Sequence, residues 1–431
     1  MSGAGTDAAQ PAEIRPLMFG VVVWGETFRE CMLRYLLPSL LAAGNLPSDI
    51  GRKKRLMICC PQDDWEVISV HETIAAVRRH AEVDWIPYEP MRHRNIRAMS
   101  IGHALCFQRA WEAGGYLSLF PPDSLFSENF VASLGHWIDE GWRLVFCPAF
   151  RAEEQALLRN LGVLDSVDIP ISRSARDLNA ATIRSLHSQM LVTDIDADYF
   201  FSLAHNFHLR DPDDAWIVAR NMAWNPALMD LNGVPPTLIQ EVARSVIDSY
   251  ILAKMYGPDE PVKFMEDSRD FAMASWAPAD WSSLPMQHQA IQRKTWTKRL
   301  YNRFAIRKSI GYHLHRNLGN VDDWIKRRAL LEPMVVFGGE GGDRSRIDVA
   351  CQRLDAELHR TAGDLLGLRR TTVYDRMFDA FESAARKFNF IANAILDRGD
   401  GRAMFRRRLA KIFLERLGPF SWRRNVMRRP D

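Results

Sequence analysis

The residues most able to do chemistry cluster around one sequence, YLSLF-Pro121-Pro122-Asp123-Ser124-Leu125-Phe126-Ser127. The apolar run 116–120 reads as a buried strand, and the two prolines fix the backbone that carries Asp123 just beyond its end. In an open parallel sheet, ligands sit outside the carboxyl ends of the strands. A rigid carboxylate there suits the holding of a divalent metal (Mn or Mg) over a diphosphate. The same residues also make a plain turn, with Ser127 capping the next helix.

Further candidates lie downstream. Arg151 follows another short apolar run and can grip a phosphate with its bidentate fork, or form a surface ion pair with a neighbouring Glu. His205 and His208 are spaced i, i+3; a neutral imidazole takes a divalent metal and a protonated one takes phosphate. Glu266, Asp267 and Asp270 form an acidic segment. Asp267 and Asp270 have the chemistry of a general base, although three acids in five residues also describe a solvated loop.

These residues need a scaffold, and the pattern of the first 150 positions supplies one. An apolar, β-branched run at 17–23 and further strand-like segments at 55–60, 83–88, 116–120 and 143–147 alternate with helical patterns at 28–40, 64–80, 95–113 and 127–141. Strand and helix in alternation with short connections predict βαβ units, a mainly parallel sheet and helices on both faces. The α/β region is expected to close near residue 285. That leaves a leader at 1–15, a domain at 16–285 and a basic, mostly helical region at 286–431.

The element order resembles the nucleotide-binding half of the GT-A glycosyltransferases, the nucleotide-diphospho-sugar transferases. The resemblance rests on Gly102-His103-Ala104, the strand YLSLF, the segment Pro121 to Ser127, His205-Asn206-Phe207-His208, Asn225-Pro226 and Glu266-Asp267-Ser268-Arg269-Asp270. It extends over roughly residues 17–285 and looks closest to a little-characterised group of bacterial glycosyltransferase-like proteins. A single acid, Asp123, stands where that family usually has two. The resemblance implies that Asp123 contacts the metal or the diphosphate, with His208 as a further metal ligand. Trp24, Gly25 and Glu26 would border the nucleotide, Glu26 at the base. The implied partners are a nucleotide-sugar donor and a glycan, lipid-linked or protein acceptor, with polysaccharide biosynthesis as the setting. A non-catalytic relative acting as a scaffold is the alternative.

Composition narrows the other classes. The 431 residues carry 56 Lys and Arg against 53 Asp and Glu, so net charge points to no polyanionic partner. The six cysteines form no CxxC pair and no zinc spacing, which predicts a reducing, cytoplasmic setting. No GxxxxGK[ST], HExxH or GxSxG is present, and no GxGxxG follows the first strand. Arg and Lys interleaved with aromatics at 293–328 suit nucleic acid, yet no zinc finger, RNP or helix-turn-helix signature accompanies them. Residues 402–429 hold ten Arg/Lys against one Glu, with Phe405, Leu409, Ile412, Phe413 and Leu417 on one helical stripe. That end suits either peripheral contact with an anionic inner-membrane leaflet or packing on the domain.

Overall fold

The computed structural model describes residues 14–376, apart from 91–94, 149, 166–168, 198–199, 201–203, 222–224, 245–248, 269–270, 280–294, 316–323, 332–334, 339–343, 366–367, 369 and 374. The first half of the chain contributes β1 (Leu17–Val22), β2 (Lys54–Cys60), β3 (Glu82–Pro87), β4 (Tyr116–Phe120), β5 (Ser124–Phe126), β6 (Leu144–Cys147) and β7 (Phe150–Glu153). The second half adds β8 (Asn206–Arg210), β9 (Trp216–Asn221), β10 (Asn225–Asp230), β11 (Val262–Phe264), β12 (Met273–Ala277) and β13 (Val335–Gly338).

Seven of these strands form the central sheet, in the order β11-β6-β10-β4-β1-β2-β3. All run parallel except β10, which is antiparallel to both β4 and β6. The sheet is therefore mixed rather than purely parallel, and its layering of helices on both faces is compatible with a GT-A-like fold. β1 reads as an unbroken apolar run because it is buried throughout. Met18 and Val22 enter the core on one face, against the Asn95–Glu112 helix, while Leu17, Phe19 and Val21 enter the other. Successive side chains alternate between faces, and here both faces are covered.

Glycine sets how closely helix and strand approach. A Cβ on Gly102 would lie 2.4 Å from Cγ1 of Val22, so only glycine lets the Asn95–Glu112 helix rest on the end of β1. Two helical patterns are shorter in the structure than in the sequence. The 64–80 pattern splits into Gln62–Ser69 and Glu72–Val77, because the His71 imidazole accepts from the Thr73 amide and starts a new helix. The helix expected from residue 127 begins at Phe130, and Ser127 does not cap it. Its hydroxyl instead accepts from the Ala272 amide at 3.1 Å, strapping β5 to the residues before β12.

Two small sheets flank the large one: β5-β12-β7, and β13-β9-β8. The second joins sequence from both sides of position 285. β13 pairs with β9, and Leu354 and Leu358 of the Arg344–Ala362 helix share a core with Phe207, Leu209 and Val218. Arg220 on β9 makes a two-pronged ion pair with Asp355 at 2.9 and 3.0 Å. Among the described residues no helix is long and apolar enough to cross a membrane. The basic segment 402–429 and its expected membrane contact lie outside the described residues.

Candidate functional site

Successive crossovers carry the chain from β1 to β2 to β3, and the next returns it to the far side of β1 as β4. The strand order thus reverses between β1 and β4. At such a switch point the loops leaving two neighbouring strands part, and a crevice opens at their carboxyl ends. Trp24, Gly25 and Glu26 leave β1 there; Pro121, Pro122 and Asp123 leave β4.

The β1 exit is held from outside its own helix. Gly25 has φ +76°, a left-handed conformation that glycine adopts without strain, and it turns the chain from extended Trp24 into the Gly25–Cys31 helix. The Gly25 amide donates to Oδ2 of Asp64 at 2.9 Å, and Arg29 pairs with the other carboxylate oxygen at 2.7 Å. Glu26 is exposed, and the rings of Trp24 and Phe28 lie 6.2 Å apart beyond the end of β1. Asp64 and Phe28 were not legible as site residues. The only available signal for Asp64 was an acid in the first turn of the next helix.

The β4 exit is held by the three-stranded sheet. Ser275 of β12 faces Ser124 on one side and Arg151 of β7 on the other. The Trp276 amide donates to the Asp123 carbonyl at 3.3 Å, and the Ser124 hydroxyl donates back to the Pro121 carbonyl at 2.6 Å. Asp123 is half-buried. Burial pushes its carboxyl above the usual range, against the pull of the Arg151 cation and its own backbone amide. Arg151 feels the converse: burial lowers its proton affinity and Asp123 raises it. Asp123 and Arg151 thus act on one another across the small sheet.

Glu154, the first residue of the helix after β7, joins this cluster. Burial raises its carboxyl, a hydrogen bond from Trp276 lowers it, and Asp123 raises it again. Cys31 stands beside both acids, its thiol pushed up to about 12 by burial and then by Glu154 and Asp123. Trp276 also meets Tyr35 edge to ring at 5.7 Å. Glu154 and Trp276 escape sequence reading because β12 arrives from more than a hundred residues away.

The remaining candidates stand elsewhere. His208 lies on β8, wholly buried, edge-on to Phe150 at 6.1 Å. The Thr193 hydroxyl gives its proton to the Met190 carbonyl, so at 3.2 Å it accepts from Nδ1–H of His208. That tautomer leaves Nε2 a lone pair with no partner, and burial followed by Arg210 pushes the imidazole down to about 3. His205 is exposed, so the two histidines do not converge. Asp267 follows β11, which lies three positions from β4, about 14 Å along the sheet. There it lines a separate groove of about 630 Å³ with Trp137, Trp142, Lys263, Phe264 and Phe271. Asp270 lies outside the described residues.

Among the described residues no three His, Cys, Asp or Glu side chains are placed to hold a metal ion. Asp123 faces a cation, Glu154 is engaged by Trp276, and His208 is sealed from the crevice.

No family model matches the chain, and no curated protein matches it. Among solved structures, the chain has a match in the apo crystal structure of mouse xyloside xylosyltransferase 1. The identity is 14%, over 35% of this chain and 57% of that one, with a TM-score of 0.22. The match thus spans just over half of that protein, and at that TM-score it carries no argument about the site.

Proposed function

We propose that this chain is a glycosyltransferase-like protein that binds a nucleotide-diphosphate sugar in the crevice between β1 and β4 and passes the sugar to a glycan, lipid-linked or protein acceptor. One observation carries the reading. What supports it is the switch point of the sheet: the aromatic pair Trp24 and Phe28 and the exposed Glu26 follow β1, Asp123 follows the neighbouring β4, and the Arg151 cation acts electrostatically on Asp123. Aromatic faces and an acceptor suit a base, a guanidinium suits a diphosphate, and a carboxylate suits sugar hydroxyls.

A second reading, a nucleotide- or glycan-binding scaffold without turnover, draws support from the placing of Asp267 in a different groove from Asp123. Release of nucleoside diphosphate from the bound donor separates the two.

The test is thermal shift with UDP, GDP, CDP and their sugars, on the wild type and Asp123→Ala. A nucleotide sugar at 100 times its Kd adds about 2.7 kcal/mol to the stability of the folded state. The expected result is a rise with one nucleotide sugar that Asp123→Ala loses while its unliganded melting point holds. No rise with any nucleotide or nucleotide sugar removes the donor reading.

A further inference from the structure

We infer that the groove at the outer edge of β11 binds an uncharged oligosaccharide, the acceptor of the transfer proposed above. As an acceptor site it rests on that reading; the binding itself needs no nucleotide.

β11 is the last strand at one end of the central sheet, and among the described residues no strand pairs with its outer edge. The groove there, of about 630 Å³, is of the size that encloses an organic ligand rather than a single ion. Lys263 and Phe264 both line it. As successive strand residues they point to opposite faces of the sheet, so the groove runs over the edge itself. One wall carries Trp137 of the Phe130–Asp139 helix and Trp142 just ahead of β6, and the other carries Arg328 of the Trp324–Leu331 helix.

The charges decide the class of ligand. The groove holds two cations, Lys263 and Arg328, and two acids, Glu266 and Asp267. His136, the remaining ionisable lining residue, stands 3.2 Å from Glu140. Cations and acids balance, so an anion such as a phosphate gains from one pair what it loses to the other. The cations are seated on aromatic rings, the Lys263 ammonium 5.0 Å from the Trp142 centroid and the Arg328 guanidinium 5.6 Å from that of Phe264. A wholly apolar ligand would strip water from all these charges and return no hydrogen bond. Sugar hydroxyls donate to carboxylates and accept from ammonium and guanidinium groups. The C–H faces of a sugar ring are apolar and lie well against indole and phenyl surface.

A glycan array probed with the labelled full chain tests this, with neutral, uronic-acid-bearing and sulfated oligosaccharides and no nucleotide. Neutral oligosaccharides are expected to bind and to stay bound in about 1 M salt, where charges are screened beyond about 3 Å. The tightest neutral probe is then titrated against two variants. Lys263→Met keeps an aliphatic stem over Trp142 and loses the charged donor; Asp267→Ala loses a charged acceptor. Each weakens binding about tenfold or more. Hydrogen exchange on the wild type with the same probe slows the amides of 136–142 and 262–267.

Four results overturn the inference. No neutral oligosaccharide binds. Binding is confined to the acidic or sulfated glycans and disappears in salt, which marks an ionic surface. Neutral binding ignores both variants. The probe slows exchange at 24–31 and 121–126 and not along the groove, which puts the sugar in the crevice between β1 and β4. This last result needs only the wild-type protein, so a variant that fails to fold does not shelter the claim. The nucleotide thermal shift is read separately: a rise there without glycan binding leaves the donor reading standing, and glycan binding without a rise keeps the groove and removes its role as acceptor site.

Discussion

Replacing Asp64 with alanine isolates the contact that holds the exit of β1. Its side chain is 9% exposed and takes two partners, the Gly25 amide at 2.9 Å and the Arg29 guanidinium at 2.7 Å. Removing one member of a buried, hydrogen-bonded pair costs about 3–5 kcal/mol, because the survivor keeps its desolvation penalty. The Arg29 side chain is 17% exposed and recovers some hydration, which places the cost near the lower end, about 3 kcal/mol. For a cooperative unit of 150–250 residues that is a drop in Tm of roughly 6–12 °C. Asp64→Asn retains an acceptor for Gly25 and loses only the charge, so it should fall by about half as much. Calorimetry on the three proteins, beside titration of the nucleotide that shifts the wild type, reads both stability and the crevice. If Asp64→Ala melts within about 2 °C of the wild type, the turn is held without the carboxylate and the reasoning is refuted.

Two other perturbations follow from the packing and the buried histidines. Gly102→Ala places a Cβ 2.4 Å from Val22, so the Asn95–Glu112 helix must lift off β1. That costs about 1–3 kcal/mol, seen as a lower denaturant midpoint at unchanged m, and an unchanged midpoint would show that the contact yields freely. His103 and His208 are pushed down to about 4 and about 3, chiefly by burial. From pH 6.5 down towards 4 the unfolded chain takes up protons that the folded chain refuses. Each histidine therefore removes stability on acidification at about 1.4 kcal/mol per pH unit. Asp194, raised to about 6 by burial, acts in the opposite sense in part of that window, so the comparison is between proteins rather than absolute. His208→Phe should flatten the acid limb by one proton equivalent, and parallel limbs for the two proteins would refute the assignment.

The elements legible in sequence are those whose cause is local. β1, β2 and β6 stand out because largely apolar runs between turn residues mark strands buried in the sheet, whereas β3, at the sheet edge, carries Glu82 and Asp84 and is only partly buried. Asp123 stands out because two prolines punctuate its strand. β5, β7, β11 and β12 are three to five residues long, too short to show a period, and their pairing is fixed by chain far away in sequence. That is why Arg151 could be singled out while Glu154 and Trp276 could not. The i, i+3 spacing of His205 and His208 describes a helix face, whereas His208 stands on a strand and His205 just ahead of it. β10 is not among the runs read as strands, and nothing in an apolar run of that length marks the direction of its neighbours.

The place of β10 governs the order in which the chain can be completed as it leaves the ribosome. β6 ends at Cys147, and the strand that must lie between it and β4 starts 78 residues later, at Asn225. At about 5–20 residues per second the nascent chain spends roughly 4–16 s with both inner edges bare. Bare edges recruit whatever strand is nearest, including the same edge on a neighbouring polysome product. A ribosome stalled anywhere in that interval would release a fragment with two open seams and an unclosed crevice, and such a fragment is a client for chaperones rather than a smaller working protein.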